Sequence, residues 1–154
     1  MDASPYQAPE AVLRPAHDTP AALYKLSGIG LATALAGFTA GGLLLGLNGK
    51  RLGRPRAMLH CVGGALLATV TVIALGLLLP DNIPSAALAV PQVLIMLYLT
   101  RSLQGTALAA HANAGGPFES NWKAFGISIL IIIVLFAVAL TGVLILDPGL
   151  RAAL

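Results

Sequence analysis

The sequence predicts an all-α membrane protein whose four transmembrane helices form a bundle of two hairpins. The 154-residue chain is 57% hydrophobic and only 10% charged, with a mean hydropathy of +0.86. A soluble domain carries roughly a quarter charged residues. The apolar residues also fall into long stretches, each close to the roughly 20 residues that cross a bilayer as a helix. Short polar connections separate these stretches, which indicates a polytopic protein.

The four predicted spans lie within a transmembrane domain of residues 25–147. They cover residues 26–47, 57–79, 83–100 and 124–146. The third span is the shortest and contains Pro91, which should kink the helix unless the helix begins there. Beyond residue 100 the helix is expected to continue as an amphipathic extension to residue 111.

Two tails flank the predicted transmembrane domain. Residues 1–24 contain four prolines, scattered charges and no apolar periodicity. Prolines at this density prevent a continuous helix and favour solvated, extended chain. Residues 1–24 are therefore predicted to form a flexible tail, and residues 148–154 a short C-terminal tail.

Small residues recur every four positions in the first predicted span. Gly37 and Gly41 form one such pair, and Gly42 and Gly46 form a second. In the second span, Gly64 offers a similar small surface. This spacing aligns small side chains on one helix face and allows another helix to approach closely. The approaching helix lies either in the same chain or in a second copy.

The cations are distributed unevenly between the two sides that four spans would create. The connections after spans one and three hold Lys50, Arg51, Arg54, Arg56, Arg101 and Lys123, whereas the other side holds Arg14, Lys25 and Arg151. Cytoplasmic loops carry an excess of Lys and Arg. The sequence therefore predicts a multi-pass protein of the bacterial plasma (inner) membrane, with both hairpin loops in the cytoplasm and both termini extracytoplasmic.

The predicted cytoplasmic loops also hold the candidate functional residues. A cation beside a bilayer attracts anionic headgroups with on the order of 1 kcal/mol, and a Trp-Lys pair is a typical interfacial anchor. The basic residues either only fix the topology or also bind a lipid, a phosphate or an acidic partner. The candidates for lipid or partner binding are Lys50, Arg51, Arg54, Arg56, Arg101, His111, Asn121 and Trp122.

Enzymatic and metal-dependent functions are not expected. The sequence contains no nucleophile elbow, zinc-protease motif, P-loop or dinucleotide-binding motif, and its six carboxylates lie outside the predicted spans. His60, Cys61, His111 and Glu119 are possible metal ligands, but no short spacing brings them to one helix face. We therefore expect no catalytic residues, no cofactor and no metal. Nucleic-acid binding is not expected either, because the net charge of +3 is concentrated in one loop.

A series of short motifs resembles a family of small bacterial membrane proteins. The motifs are NxxRLGRP, LPDNIP, QG, H, GG and SNWKAxGI, which begin at Asn48, Leu79, Gln104, His111, Gly115 and Ser120. The resemblance covers roughly residues 37–127 and excludes the proline-rich tail. It implies a bacterial plasma-membrane protein with four predicted spans and no assigned activity. It draws attention to Arg51, Arg54, His111, Asn121 and Trp122 without giving them a role.

The sequence is compatible with two main classes of function. The leading hypothesis is a structural or interaction protein that binds a partner or membrane lipids through its cytoplasmic face, such as an immunity or accessory membrane protein. The alternative is a small transporter or channel, a homo-oligomer that uses the glycine-rich face of the first span. Transporters usually place an ionisable group at mid-membrane, and no predicted span contains one at that depth, which disfavours coupled transport.

Overall fold

The computed structural model describes residues 20–80, 82–147 and 149, and within them the fold is all-helical. The four helices are α1 (Leu26–Arg51), α2 (Pro55–Leu78), α3 (Ala86–Asn113) and α4 (Asn121–Leu146). Each is long and apolar enough to cross a membrane. The predicted fold class, a multi-pass helical membrane protein, is therefore confirmed.

The first helix does not follow the straight path that the sequence suggests. Its backbone leaves the helical region at Ala36 and Gly37, where Gly37 has φ 66° and ψ −159°. A Cβ atom added to Gly41 would lie 2.1 Å from the hydroxyl of Thr33, although these residues are two helical turns apart in sequence. Residues 26–35 and 38–51 are therefore two arms of a helical hairpin, with Gly37 at its turn.

Hydrogen bonds join the open ends of the α1 hairpin. The backbone N–H of Tyr24 donates to Oδ1 of Asn48 over 2.8 Å, and Nδ2 of Asn48 donates to the carbonyl of Tyr24 over 2.9 Å. The arms of 10 and 14 residues are about 15 and 21 Å long at 1.5 Å per residue. Both are shorter than the roughly 30 Å hydrocarbon core of a bilayer. Because Tyr24 and Asn48 are hydrogen-bonded to each other, both ends of α1 lie at the same end of the bundle.

The α1 hairpin forms the centre of the bundle. The other three helices each pack extensively against α1 and at most marginally against one another. In its most apolar 18-residue window, 61% of α1 is buried, compared with 0% of α4. The expected arrangement of two packed hairpins is thus corrected, because α3 and α4 do not form a packed pair. Most side chains of α2, α3 and α4 face outward, where lipid would cover them.

The glycines of α1 are used inside the chain. A Cβ atom on Gly42 would lie 2.2 Å from the Cβ of Ala65, and one on Gly46 would lie 3.2 Å from the carbonyl oxygen of Met58, so both glycines face α2. Two predictions of helix-packing glycines need correction. Gly37 forms the turn of the hairpin, and a Cβ atom on Gly64 would meet no atom of the described residues within 4 Å.

Other boundaries also differ from the sequence-based expectation. Pro91 lies inside α3, which begins at Ala86 and runs without interruption to Asn113. Within the proline-rich tail, Leu23 and Tyr24 are buried and hydrogen-bonded, so residues 20–24 belong to the folded domain. The predictions for residues 1–19 and for the C-terminal tail fall outside the described residues, apart from Gly149.

Candidate functional site at the loop end

Three chain segments meet at one end of the bundle, which we call the loop end. They are residues 20–25 before α1, the α1–α2 connection of residues 52–54 and the α3–α4 connection of residues 114–120. Leu23 donates its N–H to the carbonyl of Pro117 over 3.2 Å and accepts the N–H of Glu119 over 2.9 Å. Because residues 20–25 lie here, the prediction that they lie on the side opposite the basic loops is wrong.

Glu119 is the anionic centre of the loop end. Its Oε1 lies 3.2 Å from Nη1 of Arg51, and its Oε2 lies 2.7 Å from Nζ of Lys123. Arg51 also donates to the carbonyl of Ala22 and places its guanidinium 5.1 Å from the centre of the Tyr24 ring. Glu119 is only 11% exposed. Arg51, a predicted binding residue, is therefore occupied in tying the end of α1 to the other two segments.

The ion pairs of Glu119 predict a pH-dependent contribution to stability. The pKa of its carboxyl lies below the ordinary value of 4.5, chiefly because Lys123 donates a hydrogen bond to it, with further support from the charges of Lys123 and Arg51. A carboxyl with a lowered folded-state pKa stabilises the fold above its unfolded-state pKa, and this contribution disappears as pH falls through the folded-state value. Glu119→Gln should therefore lower the melting temperature in detergent at neutral pH. The difference from wild type should shrink below about pH 4.5, and a difference that is constant with pH would contradict the ion-pair role.

His111 is another predicted binding residue that is engaged within the chain. Its Nε2 lies 2.8 Å from the carbonyl oxygen of Pro117, and its ring meets Phe118 edge-on at 5.2 Å. From the N-terminal segment, Nζ of Lys25 lies 5.6 Å from the centre of the same Phe118 ring. His111 therefore has a structural role within the α3–α4 connection, and Lys25 links that connection to the N-terminal segment.

Four predicted cations remain available for an external partner. Lys50, Arg54, Arg56 and Arg101 are exposed, and their side chains make no hydrogen bond or ion pair with any described residue. Lys50 lies in the last turn of α1, Arg54 in the α1–α2 connection, and Arg56 in the first turn of α2. The structure thus separates the predicted basic residues into the internally paired Arg51 and these four cations.

Trp122 and Asn121 begin α4 on another side of the loop end. The side chain of Trp122 is 78% exposed and contacts Phe125 edge-on at 5.7 Å. A Cβ atom on Gly28 would lie 3.2 Å from Oδ1 of Asn121, so Asn121 packs on the first arm of α1. An exposed tryptophan at the start of an apolar helix fits the membrane interface.

Sequence reasoning missed the residues that close the α1 hairpin. Asn48 is fully buried, and Tyr24 was assigned to the flexible tail. The signal available was the amide of Asn48 at the end of an apolar span, since a buried amide requires partners. Its partner lies 24 residues earlier, and no periodicity indicates that pairing.

Metal-ligating side chains are not grouped at the loop end or elsewhere in the described parts of the chain, where no three His, Cys, Asp or Glu residues could hold one ion. No family model, curated protein or solved structure matches the chain. The resemblance to a bacterial membrane protein family therefore stays a prediction from the motifs.

Proposed function

We propose that this multi-pass membrane protein is a structural or interaction protein of the bacterial inner membrane that binds anionic lipids at its loop end. The observation that carries the proposal is the separation of the cations. Arg51 and Lys123 both form ion pairs with Glu119, whereas Lys50, Arg54, Arg56 and Arg101 are exposed and unpaired among the described residues. Each such cation near an anionic surface contributes about 1 kcal/mol to attraction.

Spin-labelled lipids test this proposal. The protein is reconstituted in phosphatidylcholine vesicles that contain spin-labelled phosphatidylglycerol or spin-labelled phosphatidylcholine, and electron paramagnetic resonance measures the fraction of each label that is immobilised on the protein. Wild type should prefer phosphatidylglycerol, and rising ionic strength should weaken the preference. The double variant Arg54→Gln, Arg56→Gln should lose up to about fivefold in relative association per cation.

The matched control for this experiment keeps the charge. Arg54→Lys, Arg56→Lys should retain most of the preference for phosphatidylglycerol because lysine and arginine attract anionic headgroups similarly at long range. Equal association of both lipids with wild type would refute the proposal. A stoichiometric acidic protein that displaces the lipid from the same cations would instead favour the immunity or accessory version of the interaction hypothesis.

We also propose that the loop end faces the cytoplasm, with the N-terminal side of the described chain inside and the end of α4 outside. Support comes from the seven described cations, six of which lie within one helical turn of the loop-end segments: Lys25, Lys50, Arg51, Arg54, Arg56 and Lys123. Such an imbalance is typical of cytoplasmic loops. In this topology α1 is a re-entrant hairpin, and its irregular turn at Gly37 packs beside Gln92 of α3.

Cysteine labelling tests the proposed topology. Cys61 is the single cysteine, so Cys61→Ser gives a background without thiols. In this background, Asn82→Cys should react with a membrane-impermeant maleimide in intact bacterial cells, whereas Ala21→Cys should react only after permeabilisation. Labelling of both positions in intact cells would restore the arrangement with both termini outside and would contradict the re-entrant path.

The alternative of an oligomeric transporter or channel loses the feature on which it was based. The glycine-rich face of α1 packs against α2 within the chain, so it is not available to a second copy. The deep hydroxyls of Thr33, Thr100 and Ser128 each donate to a carbonyl of their own helix. No observation favours this function over the lipid-binding proposal.

A further inference from the structure

A crevice between α2 and α3 opens toward the loop end. The two helices approach near their connection, where a Cβ atom on Gly76 would lie 3.6 Å from Cδ1 of Leu88. Toward the loop end they separate, and the second arm of α1 forms the floor between them. Two adjoining cavities of about 310 and 240 Å³ occupy this space and share His60, Cys61 and Leu103 in their walls.

The deeper cavity is an apolar chamber. Its walls come from α1, α2 and α3 and include Phe38, Gly42, Ala65, Ala68, Met96 and Leu99. Gly64 also lines it, and a Cβ atom there would have open space for at least 4 Å. The absence of a side chain at Gly64 therefore keeps the chamber open. Its apolar lining suits a hydrocarbon chain.

The shallower cavity forms a polar mouth at the loop end. Arg54 lines it and is one of the exposed cations that make no hydrogen bond or ion pair with a described residue. His60 also lines it, and its Nδ1 donates to the carbonyl of Arg56 over 2.8 Å, which leaves Nε2 for another contact. A cation above an apolar chamber is complementary to an amphipathic molecule with an anionic headgroup.

Gln104 adds a second polar group to the wall of the mouth. Its Nε2 donates to the carbonyl of Leu45 over 2.7 Å, and this contact fixes the amide orientation because a carbonyl can only accept. The opposite atom, Oε1, is buried and has no hydrogen-bond partner among the described residues. Buried polar atoms are normally paired, so a ligand hydroxyl that displaces the wall far enough to reach Oε1 would supply the missing donor.

From these features we infer that the crevice binds one molecule of an anionic glycerophospholipid whose headgroup carries hydroxyls, as phosphatidylglycerol does. The phosphate lies at Arg54, the headgroup hydroxyls supply donors to the mouth at Gln104 and His60, and one acyl chain fills the apolar chamber. Both cavities together lie in the size range of small-molecule sites. This inference rests on the proposed lipid-binding function and gives it one defined site.

The chamber can be closed without touching the charged mouth. Gly64→Leu places a side chain in the open space of the chamber, whereas Gly63→Leu is the matched control, because Gly63 also has no neighbour within 4 Å of a Cβ atom but does not line either cavity. Both changes replace glycine within α2 and so favour the helix. The two variants therefore differ in whether the new side chain enters the crevice, and they change helix propensity equally.

Native mass spectrometry of the detergent-purified full chain, titrated with phosphatidylglycerol or phosphatidylcholine, measures the binding. We expect wild type to retain one phosphatidylglycerol with at least roughly tenfold preference, equivalent to about 1.4 kcal/mol. Gly64→Leu should weaken this complex by at least about tenfold, and Gly63→Leu should leave it unchanged. Soluble glycerophosphoglycerol should not compete, since it has no acyl chain.

The outcomes separate this site from the general lipid preference. If Gly64→Leu still retains one phosphatidylglycerol as tightly as wild type, or if the soluble headgroup competes as well as the lipid, the crevice site is wrong. The spin-label preference in vesicles would then still stand on the exposed cations. If that preference is itself absent from wild type, the proposed function fails, and a one-to-one phosphatidylglycerol complex sensitive to Gly64→Leu would still support the crevice.

Discussion

Gly37→Ala is expected to destabilise the protein, although the same change in a continuous helix would stabilise it. The backbone of Gly37, with φ 66° and ψ −159°, lies in a region that is essentially restricted to glycine and costs other residues about 1–3 kcal/mol. A Cβ atom there would also lie 2.9 Å from Oε1 of Gln92. Thermal unfolding in detergent should therefore show a lower melting temperature than wild type.

The control for this prediction is Gly63→Ala. Gly63 lies within α2, has no atom within 4 Å of a Cβ position and does not adopt positive φ. There alanine should raise the free energy of unfolding by up to about 1 kcal/mol through helix propensity. A stabilising effect at Gly37 as well would mean that α1 is a straight helix, so the sign of the change decides between the two chain paths.

Asn48→Leu is expected to release the N-terminal segment from the end of α1. The side chain of Asn48 satisfies both the N–H and the carbonyl of Tyr24, and Tyr24 is only 4% exposed. Leucine would leave both buried groups without a partner, at a cost of about 1–3 kcal/mol for each group. We expect a lower melting temperature and faster cleavage by trypsin after Lys25.

A matched asparagine tests whether the effect belongs to these two hydrogen bonds. Asn113 is exposed at the end of α3, on the same side of the bundle, and its side chain makes no hydrogen bond with a described residue. Asn113→Leu should change the free energy of unfolding by no more than about 0.5 kcal/mol. If Asn48→Leu behaved like Asn113→Leu in both assays, Asn48 would not hold the hairpin closed.

The sequence predicted the candidate site only in part. It identified the cations of the α1–α2 connection because charge is visible without a structure, and Lys50, Arg54 and Arg56 are indeed exposed. It could not separate them from Arg51, whose role depends on Glu119, 68 positions later in the chain. Gly64 shows the same difficulty, because a small residue indicates close helix packing and an open cavity equally well.

Composition and hydropathy by themselves determined the solvent, the helical fold and the approximate position of every helix. A backbone in lipid must satisfy its hydrogen bonds internally, and long apolar segments do so as helices. Only the tertiary structure decided that α1 folds back at Gly37 to become the centre of the bundle. A four-residue spacing of small residues fits a helix face and a hairpin turn alike. Hydropathy is also the same whether an apolar segment crosses the membrane or folds back within it. The pairing of Tyr24 with Asn48 makes that choice, because it joins residues that a straight helix would hold far apart.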